Sequence, residues 1–245
     1  ITKSFDGIEI LKGISMAFEA GKTNLIIGQS GSGKTVLLKC LLGLHQPEGG
    51  DMLFNNQALV EMDDDQRRIL RREMGMVFQG SALFDSMTVL ENVMFPMQML
   101  TNQSEALMRK AAEEVIERVN LVDAQQKLPA ELSGGMQKRV AIARAVVMKP
   151  KYLFCDEPNS GLDPKTAIVI DNLIREITQE NNITTVINSH DMNSVMEIGD
   201  SILFLKDGVK AWEGSKELIF KTDNEAINDF VYSSNLMKKV KEVYQ

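Results

Sequence analysis

The sequence is short of the features that mark secreted, disulfide-bonded or membrane-spanning proteins. Its 245 residues include two cysteines, and Cys40 and Cys155 lie far apart in apolar surroundings, so we expect reduced, buried thiols rather than a disulfide or a metal site. The longest apolar runs, such as Thr23–Gly28 and Ile183–Ile187, fall far short of the roughly 20 residues that cross a bilayer. No basic stretch followed by an apolar one opens the chain, so neither a membrane span nor a secretory signal is expected.

An excess of positive charge is also lacking. The 27 Lys and Arg residues are outnumbered by 34 Asp and Glu residues, and the formal net charge is -7. This balance offers no basic footprint for nucleic acid or for an anionic membrane surface, so we expect no nucleic-acid partner and any membrane association to pass through another protein. The 44% hydrophobic and 25% charged content is that of an ordinary globular chain, long enough to bury a large core around a preformed site.

Apolar stretches of strand length alternate along the chain with helical patterns, which predicts an α/β fold with a largely parallel sheet. Three of these stretches, Lys22–Gly28, Lys151–Asp156 and Ile183–Asn188, end in polar residues that can do chemistry. Ligands bind at the carboxyl ends of strands in open α/β sheets, so these three ends are expected to converge on one site.

A long stretch with helical periodicity separates the first two of these strands. Within it, Glu105–Val119 and Gly135–Met148 carry apolar residues at helical spacing, which we interpret as an inserted helical subdomain. The predicted organisation is a single domain with a core of about 1–79 and 149–214, a helical subdomain of about 80–148 and a helical tail of about 215–245. A small antiparallel β region is expected after the turn residues 47–50, and a hairpin turn at 206–208.

One segment between a strand and a helix has the composition of a phosphate-binding loop. It consists of Gly28, Gln29, Ser30, Gly31, Ser32, Gly33, Lys34 and Thr35. Its glycines let backbone N–H groups turn toward phosphate oxygens at the start of the predicted helix Thr35–Leu44, where the helix dipole favours negative charge. The Lys34 ammonium would pair with the β- and γ-phosphates, and the Thr35 hydroxyl is a ligand for magnesium. A chance Gly/Ser turn before a helix is the alternative.

Two acidic residues, Asp156 and Glu157, close the predicted strand that follows Pro150. Carboxylates at the end of a buried strand are costly unless a cation or a bound water uses them. Asp156 is therefore a candidate magnesium ligand, acting through water, and Glu157 is a candidate general base for an attacking water. Helix capping by either residue is the alternative.

A second anion-receptive helix start follows Leu132. Its residues are Ser133, Gly134, Gly135 and Gln137, and taken alone it is an ordinary helix cap. Together with the phosphate loop and the acidic strand end it resembles the signature segment of the ABC ATPase family, and the resemblance covers nearly the whole chain. It implies ATP and Mg²⁺ as ligands and a homodimer, in which the Ser-Gly-Gly segment of one subunit closes over the γ-phosphate held by the other.

Further elements resemble that family in the same order along the chain. Gln79 resembles the glutamine of the Q-loop, and His190 resembles the switch histidine. Ser160–Asp163 resembles the D-loop, which implies that Asp163 lies at the nucleotide. An amide can bind magnesium or water, and an imidazole can donate to the γ-phosphate or orient Glu157. On their own, Gln79 and His190 would be a surface amide and a strand-end capping residue.

Some aromatic and sulfur-containing residues have more than one interpretation. Phe5 occupies the place of the family's adenine-stacking aromatic residue, and its π face suits stacking, although a core position is the alternative. His45 is expected only to cap or solvate the end of the first helix. Met94, Met97 and Met99 are expected to fill the core, although the resemblance places them in the region that contacts the transporter.

The stretch Phe78–Val93 resembles the Mla/Mce branch of the family, whose members power lipid movement across the cell envelope. The resemblance implies a transmembrane permease partner, an Mce-type substrate-binding protein in the full complex, and a cytoplasmic position on the inner face of the inner membrane. Two alternatives remain. The chain would otherwise serve an ABC transporter of another substrate, or act as a soluble ABC ATPase of iron–sulfur cluster assembly.

Overall fold

The computed structural model describes residues 1–232, and helices and strands alternate along them. The strands are β1 (Thr2–Phe5), β2 (Ile8–Lys12), β3 (Thr23–Ile27), β4 (Leu53–Phe54), β5 (Gln57–Ala58), β6 (Met74–Val77), β7 (Tyr152–Asp156), β8 (Thr184–Ser189), β9 (Ser201–Lys206) and β10 (Val209–Gly214). The α-helices are α1 (Lys34–Leu41), α2 (Asp64–Arg72), α3 (Val89–Leu100), α4 (Glu105–Arg118), α5 (Gly134–Val146), α6 (Pro164–Glu180), α7 (Met192–Ile198), α8 (Lys216–Ile219) and α9 (Glu225–Val231).

The largest sheet has the strand order β10-β9-β3-β8-β7-β6. β3 pairs in parallel with β9, with Ile26 opposite Leu203, and β6 pairs in parallel with β7, with Gly75 opposite Leu153. β10 is antiparallel to β9, and two further two-stranded sheets, β1-β2 and β4-β5, are antiparallel. The α/β class with a largely parallel sheet and a small antiparallel region is therefore confirmed.

The chain forms two compact units. The first contains Ile1–Glu19, Thr23–Met62 and the residues from Val186 onward. All five residues of β3 are buried, as expected for a parallel strand covered on both faces. The predicted hairpin joins β9 to β10, and its turn residues Asp207 and Gly208 have φ of 52° and 81°. Both values match the turn type that favours Asp-Gly between antiparallel strands.

The second unit contains Ala20–Lys22 and Asp63–Thr185, and most of its residues are helical. Within it α3, α4 and α5 pack against one another, and α5 also packs against β6. Reciprocal hydrogen bonds between Thr88 and Glu91 cap the start of α3, which satisfies backbone N–H groups that a helix start leaves open. No helix within residues 1–232 is both long and apolar enough to pass through a bilayer.

Helix bounds differ from the predicted ones by a few residues. The first helix was expected over Thr35–Leu44 but ends at Leu41, because Gly43 takes a left-handed φ of 68° and its N–H bonds to the Cys40 carbonyl. α8 and α9 lie within the predicted tail from residue 215, and residues 233–245 lie outside the described part of the chain, so the tail stays a prediction. The division into core and helical subdomain remains a prediction.

Gly75 provides a test of the packing between β6 and α5. A Cβ at Gly75 would lie 2.3 Å from the Ala145 carbonyl oxygen, so Gly75→Ala is expected to lower the free energy of unfolding by about 1–3 kcal/mol. Gly80→Ala is the control, because a Cβ there meets no atom within 4 Å, and it should change stability by less than about 0.5 kcal/mol. Urea unfolding followed by circular dichroism measures both, and equal stability of the two variants would contradict this packing.

Candidate functional site

The predicted phosphate loop joins β3 to α1 in the first unit. Gly28, Gly31 and Gly33 all have positive φ, of 151°, 82° and 103°. The requirement is strictest at Gly28, where a Cβ would lie 2.3 Å from the Leu205 carbonyl oxygen and 2.7 Å from Ser32 Oγ. Only glycine fits this position, so the turn out of β3 depends on it.

Lys34 lies inside this loop. Its side chain is 7% exposed, and Nζ donates hydrogen bonds to the carbonyl oxygens of Gly28 at 2.8 Å and Gln29 at 3.0 Å. The loop therefore wraps around a positive charge. Ser32 Oγ is buried and has no hydrogen-bond partner among the described residues, which leaves a donor for an oxyanion. A buried ammonium, an open hydroxyl donor and a helix start fit a nucleotide phosphate.

Phe5 and His190 are the other predicted site residues of this unit. Phe5 is 39% exposed, so the alternative of a core position is not what the structure shows. Lys3 Nζ lies 5.0 Å from the centre of its ring, and the His45 ring meets it edge-on at 5.2 Å. This contact of His45, which the sequence did not predict, orients the aromatic ring. His190 is exposed and directly follows β8.

The acidic pair lies in the second unit. Asp156 is the last residue of β7, and Glu157 follows it with a φ of 47°, in the left-handed region that non-glycine residues rarely adopt. The Ser160 N–H donates to the Glu157 carbonyl at 3.2 Å, which closes a turn after the strand. Such backbone strain is often found at functional residues. The N-cap position of the next helix, α6, is occupied by Asp163 rather than by Asp156 or Glu157.

Asp163 is the N-cap of α6. Its carboxylate accepts hydrogen bonds from the backbone N–H groups of Lys165 and Thr166, each at 3.1 Å, and from the Thr166 hydroxyl at 2.5 Å. The hydroxyl bond is the largest cause that lowers the pKa of Asp163, and the backbone bonds act in the same direction. In this structure the Asp163 carboxylate therefore caps the start of α6.

The signature segment begins α5 as predicted. Ser133 Oγ accepts a hydrogen bond from the Met136 N–H at 3.3 Å, and Ser133 and Gly134 are exposed. Gly135 is buried, and it packs so closely that a Cβ there would lie 2.6 Å from Thr166 Cγ2. The structure therefore brings this helix start against the start of α6. The Gln137 amide donates to the Pro129 carbonyl at 3.0 Å and fixes the turn before the signature.

Gln79 follows β6, and its carbonyl oxygen accepts a hydrogen bond from Lys138 Nζ. Lys138 and Arg144 are buried basic residues of α5 that sequence reasoning missed. Long basic side chains on a helix are normally exposed, so the sequence contains no signal that marks these two. Of the methionines, Met94 and Met97 are buried, whereas Met99 is 66% exposed. Core filling thus explains only two of the three.

Comparison with known proteins agrees with these features. The family described as ABC transporter matches residues 11–160. The methionine import ATP-binding protein MetN of Latilactobacillus sakei is 39% identical over 227 residues, which are 93% of this chain and 66% of that protein. The probable ribonucleotide transport ATP-binding protein mkl of Mycobacterium leprae is 33% identical over 231 residues, 94% of this chain and 67% of that protein. The chain thus spans about two thirds of the length of these relatives.

Solved structures give the same result. A bacterial ABC transporter cassette solved as a dimer has 34% sequence identity and a TM-score of 0.78, over 87% of this chain and 94% of that one. The same cassette, solved as a dimer in a post-hydrolysis state bound to ADP and Pi, matches equally well. The chain therefore belongs to the ABC transporter family, as one of its ATPase domains.

Proposed function

We propose that this chain binds and hydrolyses ATP as a homodimer and thereby drives a membrane transporter. The observation that carries the proposal is the loop around Lys34, whose ammonium is buried against the Gly28 and Gln29 carbonyls at the start of a helix. A buried cation at a helix start is a site for phosphate. The β- and γ-phosphates of ATP would replace part of this backbone coordination.

The remaining roles follow from the chemistry of the residues. Thr35, Asp156 and Gln79 offer hydroxyl, carboxylate and amide oxygens, the ligand type that Mg²⁺ prefers, and the ion would neutralise charge on the phosphates. Glu157 accepts the proton of the attacking water, and His190 donates to the γ-phosphate or orients Glu157. Phe5 is partly exposed, and its aromatic ring would stack on adenine.

Dimerisation is supported by the helix start at Ser133. Ser133 and Gly134 are exposed, so their backbone N–H groups are available to a phosphate presented by a second subunit. Gly135, packed against Thr166, would hold that helix start beside Asp163. A related cassette is dimeric both in its ADP- and Pi-bound state and in a second structure. The active unit would then contain two ATP sites, each built from two subunits.

The proposed substrate is a lipid of the cell envelope, by the resemblance of Phe78–Val93 to the Mla/Mce branch. Phe78 and Phe84 of this stretch, and Met99 beyond it, are exposed apolar side chains that a protein partner would cover. The partner would be a permease, with an Mce-type substrate-binding protein in the full complex. The chain would then be peripheral on the inner face of the inner membrane, with residues 80–148 as its helical subdomain.

A second candidate substrate is methionine, because a methionine import protein is 39% identical to 93% of the chain. The two candidates share the ATPase and differ in the permease. A soluble role in iron–sulfur cluster assembly would require no permease at all. The partner that the chain binds therefore distinguishes all three.

Lys34→Ala is expected to weaken binding of a non-hydrolysable ATP analogue by about a hundredfold or more, because the phosphates lose their buried cation and the loop loses its anchor. Lys39→Ala, which removes an exposed lysine of the same helix, should leave the affinity within about twofold. Isothermal titration calorimetry measures both. Unchanged affinity in Lys34→Ala would contradict the phosphate-loop interpretation.

Glu157→Gln is expected to retain ATP binding but to lower steady-state hydrolysis by about a hundredfold or more, because a general base is lost. With ATP and Mg²⁺ the variant should accumulate as a dimer in native mass spectrometry. Hydrolysis close to that of the unmodified chain would exclude Glu157 as the base. Persistence of a monomer under saturating ATP would contradict the homodimer.

The transport proposal is tested by extracting the tagged chain with detergent from the membranes of its own cells and identifying the proteins that co-purify. A permease is expected, and ATP hydrolysis by the reconstituted complex should rise about twofold or more with lipid-loaded binding protein but not with methionine. Stimulation by methionine would favour the amino acid importer. Recovery of the chain only from the aqueous fraction, with assembly proteins, would overturn the transporter proposal.

A further inference from the structure

Two basic side chains of α5 are buried in the second unit. Lys138 is 5% exposed and Arg144 is 9% exposed. Lys138 Nζ donates to the Gln79 carbonyl, and the Arg144 guanidinium donates to the Ser81 carbonyl at 2.8 Å and to the Ala82 carbonyl at 2.7 Å. Burial of a cation is unfavourable without such acceptors, and burial lowers the pKa of both groups. Three carbonyls of one short segment thus face two cations of one helix.

The segment that they hold has an unusual backbone. Ser81 and Ala82 have φ of 62° and 47°, two consecutive non-glycine residues in the left-handed region. This backbone conformation is unfavourable for residues with a side chain, so it persists only where contacts from outside the segment hold it. The local turn bonds, Ser81 N–H to Phe78 at 2.9 Å and Ala82 N–H to Gly80 at 2.7 Å, are short-range. The cations of α5 supply the long-range contacts.

Asn92 fixes the chain just beyond this segment. Its buried amide accepts from the Phe84 N–H at 2.9 Å and donates to the Phe84, Met87 and Thr88 carbonyls at 3.0–3.1 Å. Arg144 also lies 6.0 Å from the centre of the Phe84 ring. Residues 79–88 are therefore held along their length, and α5 contributes the contacts nearest to Gln79.

We propose that Lys138 and Arg144 are positioning residues for Gln79. They fix the backbone of residues 79–82 to the helix that starts at Ser133, so that a displacement of that helix start moves Gln79 with it. The inference rests on the proposed function, since Gln79 matters here as a ligand of magnesium or of the attacking water. Each cation would act on Gln79 through the backbone carbonyls that it binds.

Arg139 provides a matched control within the same helix. Its guanidinium also binds backbone carbonyls, those of Val119 at 3.3 Å and Asn120 at 3.1 Å, at the end of α4. Arg139→Met therefore removes a cation–carbonyl contact of α5 without affecting residues 79–82. If the loss of any cation–carbonyl contact of α5 lowers kcat, the loss should appear in both Arg139→Met and Lys138→Met.

The experiment is a double-mutant cycle between Lys138→Met and Gln79→Ala in the full chain, with kcat and KM for ATP measured at saturating Mg²⁺. We expect Gln79→Ala to lower kcat by about tenfold or more and Lys138→Met by about three- to tenfold, with KM within about twofold. The kcat of the double variant should lie within about twofold of that of Gln79→Ala, because Lys138 acts through Gln79. Lys138→Arg should restore most of kcat, and Arg139→Met should leave it within about twofold.

The other outcomes of this experiment would contradict either the positioning role of Lys138 or the proposed role of Gln79. The positioning role would be overturned if the losses in kcat of the two single variants multiply in the double variant. It would also be overturned if Arg139→Met loses as much kcat as Lys138→Met. In either case Lys138 would have only a general structural role. A loss in Gln79→Ala without one in Lys138→Met would overturn the inference alone. Normal kcat in Gln79→Ala would instead contradict the role of Gln79 in the proposed function.

A second variant covers the case in which Lys138→Met does not fold. Arg144→Lys keeps the charge but cannot bind the Ser81 and Ala82 carbonyls together in the planar fork of a guanidinium. Hydrogen exchange of the backbone amides of residues 79–84 should then be at least about tenfold faster, while α5 itself stays protected. Unchanged exchange in this segment would overturn the inference.

Discussion

The absence of a side chain at Gly28 is the constraint on which the first unit depends. β3 is buried along its whole length and ends directly against the Leu205 carbonyl of β9, where a Cβ would come within 2.3 Å. Because the chain passes so close, it turns at once into a loop whose carbonyls face inward onto Lys34. The phosphate loop is thus a consequence of strand packing as much as of its own glycines.

The second unit also contains a strained turn after a strand, but there the turn is held by charged side chains. The chain leaves β6 through residues 79–82, in a conformation that non-glycine residues resist, and three carbonyls of this segment accept hydrogen bonds from buried cations. α5 supplies these cations, and its start at Ser133 and Gly134 is exposed. Proposed phosphate recognition and the position of Gln79 therefore share one helix.

The two relatives differ in what they are named for, methionine import and ribonucleotide transport, while the segments of this chain that we propose to bind nucleotide resemble the general pattern of the family. ATP hydrolysis is the same reaction in each case, so its residues carry no information about the transported molecule. Under the proposed function, the permease would select the transported molecule. The exposed apolar residues Phe78, Phe84 and Met99 would then be candidates for the contact with that partner rather than with ATP.

The sequence by itself determined the fold class, the glycine-rich loop before α1 and the helix start at Ser133, because each depends on local periodicity or on residues adjacent in the chain, and the binding roles of the last two stay predictions. Tertiary structure alone decided the burial of Lys138 and Arg144, the left-handed backbone at Glu157, Ser81 and Ala82, and the contact of His45 with Phe5. The buried cations and the aromatic contact depend on carbonyls and a ring contributed by residues distant in sequence. A basic residue on a helix has the same local pattern whether it meets water or a buried carbonyl.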